Sequence, residues 1–373
     1  MFVSDAVKVN VHSVEQHAHP RLNQFLLMKD YGSTALDMRM LFASALIALT
    51  VSVQLGCGGA TTGAGNLNAA APTPMPAPLP APSPTPAPAP NPAPTPTSGL
   101  PAIGHVALIV FENQEEDKIL NNPSMPYLSS LATQNAYASQ YYADVHPSLG
   151  NYFMLTTGQL ISNDLDFAGV VDVDNLVREI IKAGKTWKAY EESIPSTGYL
   201  GDGPLPYVKT HNPAAYLSDV RNDPTQAANM VSLDQLQTDL SAGNLPNFMF
   251  VEPNQVNTMH DCPAAARACD NDYKLGVGDA WAQQYIGMLL NDPAFQQDGL
   301  LILTWDESWD TDSQDGGGHV LTILIGPKVK KQYVSTSFYQ HESTLSTICG
   351  VMQIPCMGSA LSAPTMSEFF TGN

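Results

Sequence analysis

Residues 105–112, HVALIVFE, and 300–307, LLILTWDE, decide how this sequence folds: each is an apolar run of strand length that ends directly in a carboxylate. A continuous apolar run, without polar alternation, marks a strand covered on both faces. NFMFV (247–251) and VLTILIG (320–326) read the same way. Helical patterns lie between them, PYLSSLATQNAYASQ (126–140) and VGDAWAQQYIGMLLND (277–292). Buried strands alternating with helices predict an α/β fold over 102–373, a mostly parallel sheet sandwiched between helices. In such sheets ligands gather at the carboxyl ends of strands, where Glu112, Asn113, Asp306 and Glu307 stand.

A carboxylate at the end of a core strand is costly unless it is paired or ligates a cation. Two such ends facing one another would form a cage of oxygen ligands; the plainer alternative is that each acid meets solvent at a loop start. Between them, VHPSLGNYFMLTTG (145–158) sets His146, Ser148 and Asn151 in a turn ahead of an apolar helix. A serine there sits where helix N–H groups and the helix dipole favour an anion, although a simple N-cap has the same signature. Further on, His260 and Asp261 are neighbours in EPNQVNTMHDCP (252–263), and three glycines lead to His319 in SQDGGGHV (313–320). Glycines allow close approach of backbone to a ligand.

The 373 residues carry a net charge of −19, and the part before residue 102 is neutral in sum, so the whole excess lies on 102–373. That excludes nucleic acid or an anionic membrane as a docking surface, since both need a basic footprint. Residues 38–57, MRMLFASALIALTVSVQLGC, have the charge, apolar run and small residues of an export signal, too short to span a bilayer. Cys57 closes a lipobox-like end, with plain signal cleavage as the alternative, and a signal at this place implies a start at Met38 or Met40. Residues 58–101 follow as an Ala/Pro/Thr-rich disordered linker holding 13 of the 30 prolines between 71 and 97. Export suits the remaining cysteines, for which Cys262–Cys269 and Cys349–Cys356 are the simplest of three pairings. Both spacings are too wide for the usual zinc knuckles.

Eight segments taken in order, FENQEED (111–117), VHPSLGNY (145–152), WKAYEES (187–193), KTHNP (209–213), EPNQVNTMHD (252–261), LTWDES (303–308), GGGHV (316–320) and YQHESTLSTI (339–348), resemble the phosphoesterase family of acid phosphatases and phospholipases C. The resemblance implies an alkaline-phosphatase-like sheet and a metal-assisted nucleophile. It places Ser148 as nucleophile, Asn151 as the amide on a phosphate oxygen, and Glu112, Asn113, Asp306 and Glu307 around one or two divalent metal ions beside Ser148. By the same resemblance His260, Asp261 and His319 would form a second metal or phosphate site or donate protons. His146 would be catalytic, and His211 and His341 would line the substrate. Gly150, where proline is usual, and Glu342, where Tyr or Thr is common, depart from the pattern.

The implied activity is an exported, metal-dependent acid phosphatase that passes through a phosphoserine on a small phosphate ester, with a membrane contact only through an N-terminal lipid anchor. A phospholipase C-type phosphodiesterase is the alternative enzyme, and a non-catalytic surface lipoprotein on the same fold is the alternative of another class.

Overall fold

In a computed structural model of the chain, residues 99–266 and 268–372 are described. The expected signal segment, Cys57 and the proline-rich stretch to residue 98 lie outside the described residues. The strands are β1 His105–Phe111, β2 Ala136–Ala138, β3 Trp187–Glu191, β4 Met230–Ser232, β5 Phe248–Glu252, β6 Gly299–Trp305, β7 Thr322–Ile325 and β8 Tyr333–Ser335. They form one eight-stranded sheet in the order β4-β3-β5-β1-β6-β7-β2-β8. β1 runs parallel to both β5 and β6, while β7 is antiparallel to β6 and β2. The sheet is therefore mostly parallel, as expected, with one reversed strand.

The central strands are buried on both faces because helices cover both. Leu108 lies opposite Phe250 in the register of β1 and β5, so Phe111, three residues further along, points to the other face. Phe111 meets Trp281 of the helix Asn271–Leu290 edge-on at 5.5 Å, whereas Phe250 meets Tyr152 of the helix Leu149–Thr157 at 6.3 Å. The two helices thus sit on opposite faces. Each fully buried Leu, Ile or Phe of this interior contributes roughly 1.5–3 kcal/mol relative to exposure.

Two local readings change. The helix expected over 126–140 stops at Gln134, and Ala136–Ala138 becomes the strand β2. Asn135 closes the helix, its side chain donating to the Leu131 carbonyl at 2.9 Å, and Ala136 and Ala138 are buried on either side of a partly buried Tyr137. The second helix begins at Asn271, earlier than the apolar pattern indicates, because the Asp270 side chain caps it by accepting from the Tyr273 N–H. Disulfides join Cys262 to Cys269 and Cys349 to Cys356. Among the described residues no helix is long and apolar enough to cross a membrane.

Candidate active site

Strands β1 and β6 pair with Phe111 opposite Trp305, so the residues that follow them stand side by side. Asp306 N–H donates to the Phe111 carbonyl at 2.9 Å, extending the ladder one step. Asn113 then takes a left-handed backbone with φ 49°, a conformation asparagine tolerates better than most residues. The turn aims its backbone N–H at Asp306 Oδ1 (3.3 Å) and its side-chain amide at Glu307 Oε1 (3.2 Å).

Ser148 immediately precedes the helix Leu149–Thr157 but its side chain does not cap that helix. Its Oγ lies 3.2 Å from Glu112 Oε1 and 3.0 Å from Glu307 Oε1. Glu112, Asn113, Ser148, Asp306 and Glu307 therefore converge, all buried. Three of their oxygens, Glu112 Oε2, Asn113 Oδ1 and Asp306 Oδ2, are buried without a hydrogen-bond partner. Such orphaned acceptors cost free energy unless a cation or donor meets them. Glu112, Asp306 and His211 can each bring one ligand atom to within 4.8 Å of the others. An oxygen-rich set of this kind fits a divalent cation.

The electrostatics point the same way. Burial, then the charges of Glu307 and Glu112, push the Asp306 carboxyl well above its ordinary range. Burial also raises Glu307, to about 7, against the opposing pull of His146. Burial works to raise Glu112 too, but the charge and hydrogen bond of His211 outweigh it and hold that carboxyl below its usual value. Three acids gathered in the interior carry more negative charge than the nearby histidines offset.

His211, expected to line the substrate, is itself buried beneath the carboxylates. Its Nε2 lies 3.1 Å from Glu112 Oε1 and its Nδ1 lies 3.3 Å from Glu252 Oε1. Burial works to lower its pKa, yet Glu112 and Glu252 together hold it well above the ordinary value. The sequence reading missed Glu252 as a site residue, and with it Glu191, its fully buried partner in the β3–β5 register. The signal was present, since FMFVE and WKAYE end in a carboxylate as HVALIVFE does.

The other expected residues separate. His146 joins the cluster, with Nδ1 2.9 Å from Glu307 Oε2 and Nε2 2.8 Å from the Asp312 carbonyl; Asp310 stands 3.8 Å from Nδ1. Asn151 is placed differently from the expected phosphate contact. It is fully buried, donates to the Val145 carbonyl at 2.7 Å and accepts from the N–H groups of Asp144 and Val145. Its amide holds the turn that carries Ser148. His341 also departs from the expected lining role: it is buried behind Asp306, with Nε2 2.7 Å from the Asp306 carbonyl and Nδ1 3.0 Å from Tyr141 Oη. Burial pushes its pKa down to about 4.

His260 and Asp261 pair with each other at 2.9 Å, half-exposed, and the charge of His260 reaches Glu112. His319 stands apart from them: its ring stacks on Tyr142, and its Nε2 lies 3.1 Å from the Ser139 carbonyl and 3.4 Å from Glu116 Oε2. Among the described residues these three do not fall into a group able to hold one metal ion.

Comparison with known proteins bears on this assembly directly, because the Phosphoesterase family model matches residues 111–355, from the end of β1 past His341. The chain belongs to the Phosphoesterase family. With membership comes the reaction class, hydrolysis of phosphoric esters. The chain is 29% identical to the phosphatidylinositol-3-phosphatase of Mycobacterium tuberculosis over 73% of its own length and 85% of that protein. It is 27% identical to a probable acid phosphatase of Kluyveromyces lactis over 67% of its length and 58% of the yeast protein. It spans just over half the length of the fungal acid phosphatases it matches. Among solved structures, the lipoteichoic acid synthase LtaP of Listeria monocytogenes shares the fold at TM-score 0.50 and 11% identity, covering 71% of this chain and 75% of that one.

Proposed function

We propose that the chain is an exported, metal-dependent phosphomonoesterase of the acid phosphatase kind, with Ser148 as its nucleophile. The observation that carries the reading is the Ser148 hydroxyl held between Glu112 and Glu307 at the start of a buried helix. Glu112, Asn113, Asp306 and Glu307 would hold the divalent cation, and its Lewis acidity would stabilise the serine oxygen and charge on the phosphoryl group.

The chain's own groups supply the rest. Glu112 and Glu307 orient the hydroxyl, His146 fixes the far oxygen of Glu307, and the N–H groups of Leu149 and Gly150, which open the Leu149–Thr157 helix ahead of the Asn151 N–H that donates to the Ser148 carbonyl, suit phosphoryl oxygens. Ser148 Oγ passes its proton to Glu307 and forms a bond to phosphorus as the ester P–O bond breaks, and the alcohol departs with a proton from a separate donor. His260, oriented by Asp261, is the donor we assign. Water then attacks the phosphoserine, giving a proton back to His260 as the Ser148 O–P bond breaks, and the proton held by Glu307 restores the hydroxyl as phosphate is released. The substrate is a small phosphate ester, and the −19 charge speaks against a nucleic acid. The two disulfides support residence in an oxidising, extracytoplasmic compartment.

Turnover of p-nitrophenyl phosphate and of bis-p-nitrophenyl phosphate, with and without exhaustive chelation, tests the class of ester and the cation together. Ser148→Ala should abolish turnover and the acid-stable phosphopeptide containing residue 148. Wild-type-like rates in that variant would remove Ser148 from the mechanism.

A further inference from the structure

Resting on the reading of Ser148 as nucleophile and Glu112 as cation ligand, we propose that Glu252 is a positioning residue: through His211 it fixes Glu112 so that one oxygen meets Ser148 and the other is left for the cation. The contacts close into a ring. Ser148 Oγ lies 3.2 Å from Glu112 Oε1, which lies 3.1 Å from His211 Nε2. His211 Nδ1 lies 3.3 Å from Glu252 Oε1, which accepts from the Tyr152 hydroxyl at 2.9 Å. Tyr152 returns to the nucleophile, its N–H donating to the Ser148 carbonyl at 3.3 Å.

The ring constrains more than distances. The Tyr152 ring stacks on the imidazole of His211 at 5.0 Å with only 16° between the planes, so stacking fixes the ring plane while the charges of Glu112 and Glu252 hold its two edges at ion-pair distance, the Nδ1 approach being too oblique for a hydrogen bond. β5 and β1 are neighbours, so their ends bring Glu252 and Glu112 to either side of His211. All the atoms of Glu112 that the ring engages are on Oε1, and Oε2 remains buried and unpartnered. Removing Glu252 would free one end of His211 and let Glu112 rotate.

A carboxylate at position 252 is a poor choice for packing alone, because it is buried and an apolar side chain would fill the space without desolvating a charge. Groups that orient metal ligands from behind recur in metal sites, and losing one costs about 10–100-fold in affinity or activity. Here a histidine and a second carboxylate do this for a carboxylate ligand.

The test uses the full chain with Glu252→Leu, Glu252→Gln and Tyr152→Phe beside Ser148→Ala. Mn²⁺ is titrated calorimetrically into chelator-stripped protein, and p-nitrophenyl phosphate kinetics are run at saturating Mn²⁺. Glu252→Leu should lower kcat about 10–100-fold and weaken Mn²⁺ binding about tenfold, with KM moving less than about threefold. Glu252→Gln, which keeps an acceptor for Tyr152 and His211, should recover both to within about fivefold. Tyr152→Phe, which keeps the stacked ring, should lower kcat about threefold or more with an unchanged far-ultraviolet circular dichroism spectrum.

The proposal is overturned if a folded Glu252→Leu protein keeps wild-type kcat and Mn²⁺ affinity, or if Glu252→Gln is as impaired as Glu252→Leu. Should Glu252→Leu fail to fold, wild-type kcat in Tyr152→Phe overturns it. Turnover surviving in Ser148→Ala would refute the nucleophile alone, since the Mn²⁺ isotherms read the positioning of Glu112 without any chemistry at Ser148.

Discussion

The Asn113 side chain donates to Glu307 Oε1 at 3.2 Å, the same oxygen that stands 3.0 Å from Ser148 Oγ. Residues 113 and 307 are far apart in sequence and meet only because β1 and β6 are parallel neighbours in register. The sheet builds the site, and the three acids it brings together carry charge the interior does not welcome.

Asp306 exposes that tension. Its Oδ1 accepts from the N–H groups of Asn113 and Glu307, while Oδ2 has no partner. Asp306→Asn should lose Mn²⁺ binding by calorimetry and drop kcat by at least about 100-fold. In chelator the same variant should melt above the unsubstituted protein at neutral pH, by about 1 kcal/mol or more, since it removes a carboxyl whose charged form burial disfavours. A lower melting temperature in chelator would argue that the acids are not in electrostatic conflict.

Asn151 separates a structural role from a phosphate contact. It makes three hydrogen bonds to main-chain atoms of Asp144 and Val145. Asn151→Ala should cost about 2–3 kcal/mol in denaturant unfolding and lower kcat through displacement of Ser148. A variant of unchanged stability with only a raised KM would instead place the amide on substrate.

These residues show what the sequence could and could not reveal. Apolar runs over 105–111 and 300–305 are long and unbroken, so the central strands and the acids at their ends were legible. β4 and β8 have three residues each, and β3 carries Lys188 amid its apolar positions, so none stands out by periodicity. Asn151 looked like a ligand because residue type does not disclose that its partners lie six and seven positions back. His260 and His319 stood out by the neighbouring Asp261 and by the three glycines before residue 319, but their ring directions depend on loop packing. Glu252 was legible by the rule that found Glu112, and only its role needed the fold.

Gly150 has a steric reason. A Cβ there would stand 2.6 Å from Asn163 Oδ1, 2.7 Å from Leu160 Cδ2 and 2.7 Å from Val145 Cγ1, so the 160–163 segment occupies the space a proline ring would need. Asn163 donates to the His146 carbonyl, tying that segment to the turn before Ser148. The opposing atoms are side-chain ends that can yield, so Gly150→Ala should cost only about 1 kcal/mol by thermal unfolding. Its kcat should fall by more than that loss of stability explains, as His146 shifts against Glu307. Unchanged kinetics would show that the segment does not support the site.

Glu368 gives a pH-dependent prediction away from the carboxylate cluster. Its carboxylate accepts from the Tyr333 hydroxyl at 2.8 Å, from the Tyr339 hydroxyl at 2.7 Å and from the Ser335 hydroxyl, pinning the turn Ser367–Phe369 to the edge strand β8. Burial works to raise its pKa, but these hydrogen bonds outweigh it and lower the value from 4.5 to about 2. A depressed folded-state value means the stabilisation is complete above about pH 5 and is lost as pH falls towards 2. Glu368→Gln should therefore unfold more easily than the unsubstituted protein at pH 7, by about 1–2 kcal/mol after allowing for solvent screening, and the two denaturant midpoints should converge as pH drops below about 3. A difference that stays constant from pH 7 to pH 3 would show that shape, not charge, holds this turn to the sheet.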